Sequence, residues 1–269
     1  MSRATWMSWR AFGAALLLFA SGLAARTAPA QAQTPEPTRV VIRAVARDAK
    51  IIGDGVGGAL IRVVDAETGE MLAEGRQTGE TGDTKLIMST PRARGVKVYD
   101  TPGAGRYVAE LSLTGPTQVN ISAEGPLGYP QAQGSATKRM LLLPGRAVDG
   151  DGVVLELNGF IVEVQSPEPM APVAGDLRVR ARVRMMCGCP ITPDGLWDAN
   201  DIDVRARLLA DGRVVAEAPL KYAGAPSQFA GTLEVSADLA ERDLQLEVQA
   251  ADESTENFGH HLIPVIGNQ

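Results

Sequence analysis

Residues 177–184 alternate without a break: Leu177, Val179, Ala181 and Val183 are apolar, and Arg178, Arg180, Arg182 and Arg184 stand between them. Successive side chains of a β-strand point to opposite faces. The octet therefore predicts a strand with one face toward a core and a row of guanidinium groups on the other. Continuing the alternation places Met185 and Cys187 on the apolar side, at the rim of that core.

The same period of two recurs along the chain in short runs separated by Gly, Pro, Asp and Thr, and no window of useful length carries the helical period. In the first half the expected strands are 40–46, 59–64, 70–74, 96–99, 106–111, 117–123 and 153–157. In the second half they are 160–165, 177–186, 202–209, 213–222, 229–236, 244–250 and 261–266, a count that suits an immunoglobulin-like sandwich. The fold class expected is all-β, with two Ig-like antiparallel β-sandwich domains at 39–158 and 159–269. The stretch Pro144-Gly145-Arg146-Ala147-Val148-Asp149-Gly150-Asp151 reads as a hinge near their join. Gly53, Gly55, Gly57 and Gly58 lack the Lys-Ser/Thr ending of a phosphate loop and read as hairpin turns.

Residues 1–32 read as a secretory signal peptide: Arg3 and Arg10, an apolar run from Ala11 to Ala20, and Ala30-Gln31-Ala32 before a cleavage point. A flexible leader, 33–38, follows. The mature chain is expected to be periplasmic or secreted, with no integral membrane segment left after cleavage. The whole chain has 26 Lys and Arg against 32 Asp and Glu and a formal charge of -6. Loss of the three signal-peptide arginines takes this to -9. That charge argues against general nucleic-acid binding and against electrostatic docking on an anionic membrane.

The run Ala59-Leu60-Ile61-Arg62-Val63-Val64-Asp65-Ala66-Glu67-Thr68-Gly69-Glu70-Met71-Leu72-Ala73-Glu74-Gly75, with Gly105-Arg106-Tyr107-Val108-Ala109 beyond it, resembles exported Ig-like modules of the carboxypeptidase-regulatory-like and YtkA-like kinds. The resemblance covers the first domain and is mostly turn chemistry. It implies a transthyretin-/carboxypeptidase-regulatory-like sandwich at 39–158, and some relatives of the YtkA-like kind accompany copper or respiratory-oxidase systems.

The chemistry-bearing residues gather in Met185-Met186-Cys187-Gly188-Cys189-Pro190, which holds both cysteines, and in His260-His261, the two histidines of the chain. Thiolates and thioethers favour copper(I), and imidazole also suits copper or zinc. If the second sandwich brings the loop after its second strand beside its last hairpin, Cys187 and Cys189 with Met185 or Met186 and one of His260 and His261 make a metal site. Adjacent residues of a strand face opposite ways, so one histidine alone could join it. A redox dithiol and an inert or structural pair are the other readings of Cys187 and Cys189.

Asp194, Asp198, Asp201 and Asp203 do not match a calcium loop, and Trp197 reads as core packing. The arginine row is expected to pair with carboxylates across the sheet, such as Glu234 or Glu247. No Gly-x-Ser-x-Gly element or other activated nucleophile is present, so a non-enzymatic protein is expected. Its leading reading is a copper-like metal-binding or redox accessory protein working with a protein partner in the cell envelope. The competing reading is a structural or adhesive interaction module with a non-metal Cys-x-Cys pair.

Overall fold

The computed structural model describes residues 37–173, 175–239 and 242–267. The expected signal peptide and residues 33–36 of the expected leader lie outside them. Thr38, the last leader residue, already belongs to a strand and is buried. No helix among the described residues is long and apolar enough to cross a membrane.

Sixteen strands are described: β1 Thr38–Ala46, β2 Ala59–Asp65, β3 Met71–Gln77, β4 Tyr107–Leu111, β5 Thr117–Gly125, β6 Gly134–Leu142, β7 Val148–Leu157, β8 Phe160–Ser166, β9 Pro172–Val173, β10 Gly175–Met185, β11 Asp203–Ala210, β12 Arg213–Pro219, β13 Lys221–Tyr222, β14 Gln228–Val235, β15 Asp243–Asp252 and β16 Asn257–Gly267. They form four sheets with orders β4-β1-β7, β3-β2-β5-β6, β13-β14-β10-β8 and β12-β11-β15-β16-β9. The chain is all-β, and its sheets are consistent with β-sandwich packing. Pairing is antiparallel except for β1 with β7 and β16 with β9, which run parallel. The chain passes from the first two sheets to the last two between β7 and β8. Buried residues of all four sheets, from Val40 to Val265, belong to one contiguous cluster.

β1 is buried on both faces, which is why it reads as an apolar run rather than an alternation. One face lies in the main core. The other lies under the long β3–β4 connection, where Val45, Ile51, Ile87, Val98, Tyr99 and Ala104 form a second cluster. Arg43, the one charge between Val40 and Ala46, is fully buried. Its Nη1 donates to the carbonyls of Gly150 at 2.5 Å and Asp151 at 2.8 Å, and its Nη2 pairs with Asp100 at 3.1 Å.

Two local expectations are corrected. Residues 96–99 are not a strand, because the Asp151 carboxylate takes the backbone N–H groups of Val98, Tyr99 and Asp100 at 2.8–3.0 Å. The expected hinge is half strand. β7 starts at Val148 and keeps its pairing to β1 across a register shift between Val40 and Ile42. Gly152 makes this possible with φ +70, since a Cβ there would lie 2.2 Å from the Val41 carbonyl oxygen.

Candidate functional site

β10 delivers the cysteine segment to the end of its sheet. Val179, Ala181 and Val183 are wholly buried as the alternation requires, and Met185, Met186, Cys187 and Cys189 are buried after them. The chain then doubles back. The Gly188 N–H donates to the Met185 carbonyl at 2.7 Å, the Met185 N–H to the Cys189 carbonyl at 3.2 Å, and Arg184 bridges Pro190. Cys187 and Cys189 close this turn as a disulfide. Only glycine suits its middle position. Gly188 has φ +81, and a Cβ there would lie 2.7 Å from Cγ1 of Val56, in the β1–β2 connection.

The turn is one of several contacts between this end of the last two sheets and the connections of the first two. Val56 is held from behind, its carbonyl accepting the Gly128 N–H at 2.9 Å. Arg184 lies over the Tyr129 ring with Cζ 4.8 Å from its centroid and pairs with Glu163 at 2.9 Å. The Nε1–H of Trp197 donates to the Asp48 carbonyl at 2.7 Å. Arg47 Nε donates to the Thr255 carbonyl at 3.3 Å. Asn257, fully buried, accepts the Gly159 N–H at 2.8 Å and donates to the Arg47 carbonyl at 3.2 Å.

The histidines do not join the cysteines. β16 begins at Asn257, so both sit within the strand rather than at the hairpin, facing opposite ways. His260 is exposed on the outer face and bonds Glu247 Oε1 at 2.8 Å. His261 faces inward, and its Nδ1 accepts the Val164 N–H at 3.0 Å. Met185 pairs with Phe160, four residues along β8 from Val164. At 3.3 Å of rise per residue this sets His261 about 13 Å up the strand from the cysteine end. Burial holds the His261 imidazole below the ordinary histidine range, against the pull of Glu163 and helped by His260.

The metal-site expectation is therefore corrected. The two sulfurs are bonded to each other, and no group of three His, Cys, Asp or Glu among the described residues could hold a metal ion. A disulfide sulfur has no thiolate to offer a metal, and Met185 and Met186 serve as buried apolar packing. Copper coordination is withdrawn as a function of these residues.

Beside the turn, a cavity of about 170 Å³ is lined by Asp48, Met185, Trp197, Asp198, Asp201 and Asp252, among others. Burial and the neighbouring Asp252 push the Asp48 carboxyl up. Burial also works against ionisation of Asp252, but hydrogen bonds from Ser254 and Thr255 outweigh it and hold that carboxyl below its usual range.

Sequence reasoning did not single out Gln77 or Arg43, and it did not anticipate the buried, backbone-bonding role of Asn257. Gln77, fully buried, exchanges hydrogen bonds with the backbone of Ala44 and donates to the Ile52 carbonyl. A lone arginine inside an apolar run is a legible sign of a buried, bonded charge. Asn257 carries no comparable mark.

No protein-family model matches the chain, and no curated protein matches it. The carboxypeptidase-regulatory-like or YtkA-like assignment of the first half is thus not shown. Among solved structures, an engineered protein is similar at 19% identity over 45% of this chain, with a TM-score of 0.30, and the chain spans only 22% of that protein. The teleost fish polymeric Ig receptor ectodomain is similar at 11% identity over 86% of this chain and 98% of its own, with a TM-score of 0.22.

Proposed function

We propose that this chain is an exported, non-enzymatic interaction module. Two Ig-like sandwiches are held in fixed relation by a disulfide-braced corner, and partners are engaged on the outer sheet faces. The observation that carries the reading is the use made of the cysteine turn. Its sulfurs are oxidised, its methionines are buried, and its glycine is pressed against Val56 of the other pair of sheets. The cysteines and methionines that could have served metal or thiol chemistry at that corner support a junction instead. The signal-peptide pattern of residues 1–32 supports export, an oxidising setting in which such a bridge persists.

The test is a membrane-impermeant amine cross-linker applied to intact cells. The reading expects a discrete adduct larger than the mature chain alone, formed equally well by the Cys187→Ala/Cys189→Ala variant. A chain that forms no adduct, or whose loss from the cell is corrected by added copper alone, overturns it.

A further inference from the structure

The four arginines of β10 do not behave alike. Arg184 is absorbed into the junction with Glu163 and Tyr129. Arg178, Arg180 and Arg182 project from the outer face and, among the described residues, make no ion pair or hydrogen bond. The expected cross-sheet carboxylates are engaged elsewhere. Glu247 lies in another sheet against His260, Glu163 is taken by Arg184, and Glu234 stands opposite Asp176 beyond the end of the row.

Register shows what surrounds the row. On one side Arg178, Arg180 and Arg182 face Thr232, Ala230 and Gln228 of β14, none of them charged. On the other, Arg180 faces Ser166 and Arg182 faces Glu163 of β8, whose carboxylate is paired with Arg184. Ala230 also faces Lys221 of β13, so its methyl floors a notch between Arg180 and Lys221. Same-face residues repeat at about 6.8 Å along a strand, and strands lie about 4.8 Å apart. The face thus presents three guanidinium groups across about 14 Å, flanked by an ammonium two strands away. The like-charged pair Asp176 and Glu234 closes one end, and the covered Arg184 closes the other.

We propose that this face docks an extended acidic segment of a partner protein, one carrying Asp or Glu at every second residue. The inference rests on the interaction-module reading and gives its partner a chemistry. An extended chain repeats same-face carboxylates at the interval of the arginine row, and each carboxylate can take a guanidinium fork in two parallel hydrogen bonds. Asp176 and Glu234 repel a segment that slips past the end, which fixes its position. The row offers no aromatic ring on which a sugar could stack. Nor, among the described residues, does any exposed large apolar side chain stand on this face to enter a lipid surface, and the chain's net charge opposes an anionic membrane.

The test is fluorescence anisotropy of the full mature chain with a labelled peptide alternating Glu and Thr. An isomer of the same composition with its glutamates in one block is the control. The alternating peptide is expected to bind about tenfold more tightly than its isomer and to weaken with salt. Arg178→Gln/Arg180→Gln/Arg182→Gln is expected to lose about tenfold, the modest loss that three exposed pairs together allow. The corresponding triple Arg→Lys variant keeps part of the binding and shows that the sheet is intact. Equal binding of the two peptides, equal binding by the glutamine variant, or equally tight arginine-dependent capture of a polyuronate or of phosphatidylglycerol vesicles overturns the proposal. A cellular cross-linked adduct that persists in the glutamine variant sinks this inference alone. Absence of any adduct sinks the interaction-module reading beneath it.

Discussion

Replacing Gly188 by alanine asks two separate things of the cysteine turn, and a double-mutant cycle can divide them. The residue has φ +81, a left-handed conformation that costs an L-residue roughly 1–2 kcal/mol. The new methyl would also lie 2.7 Å from Cγ1 of Val56. Val56 is 2% exposed, and its carbonyl is tied to the Gly128 N–H, so it has little room to retreat. An overlap of this kind in a packed interior costs about 1–3 kcal/mol. Gly188→Ala should therefore destabilise the chain by about 2–5 kcal/mol. Val56→Ala alone removes two methyl groups and should cost about 2 kcal/mol. With both changes made, the overlap vanishes while the backbone term stays. The double variant should then be about 1–3 kcal/mol more stable than the sum of the singles implies. Urea unfolding at constant m reads all four corners of the cycle. Additivity within about 0.5 kcal/mol would refute the docking of this turn on the first pair of sheets.

Three further outcomes are expected. His261 is held below its ordinary pKa, so the neutral imidazole favours the folded state. Its stabilisation is complete above the unfolded value near 6.5 and declines as pH falls toward the folded value. His261→Asn keeps an acceptor for the Val164 N–H but does not titrate, and should flatten the stability–pH curve below pH 6.5; an unchanged slope would exclude His261 as its source. Asp151→Ala frees three backbone donors of residues 98–100, and tryptic cleavage between Arg92 and Lys97 should speed about tenfold or more, which mass spectrometry of timed digests checks. Reduction opens a three-residue loop and should cost roughly 1.6 kcal/mol by loop entropy, whereas a chelator should leave the thermal midpoint where it was; a fall in midpoint on chelation would restore the metal reading.

The second half of the fold is legible because its strands alternate cleanly and its turns carry Gly, Asp or Pro. The octet 177–184 assigns its inner and outer faces correctly as far as Val183. Beyond that point tertiary structure decides. Arg184 has the same local pattern as its neighbours, yet it is buried because Tyr129, 55 residues earlier, lies over it. Residues 96–99 alternate like a strand, but a carboxylate 52 residues away takes their donors. β6 went unread because it is an edge strand whose Lys138 and Arg139 stand side by side and blur its period.

The candidate site was legible as a place and misread as chemistry. Cys187 and Cys189 are near enough in sequence to chelate or to bond, and nothing local separates the two. The sequence pattern puts the histidines too near the hairpin because the strand start at Asn257 is fixed by that residue's bonds to Gly159 and Arg47. Their removal from the corner follows from β-strand geometry once that start is known.

The central claim is that the cysteine corner is a closed brace. The chain should be isolated from the exporting compartment, unfolded without reductant in the presence of an alkylating reagent, and weighed intact. A closed brace gives a mass with no adduct, and two adducts only after reduction. Two adducts before reduction, or a metal ion released on unfolding in proportion to the chain, would contradict it.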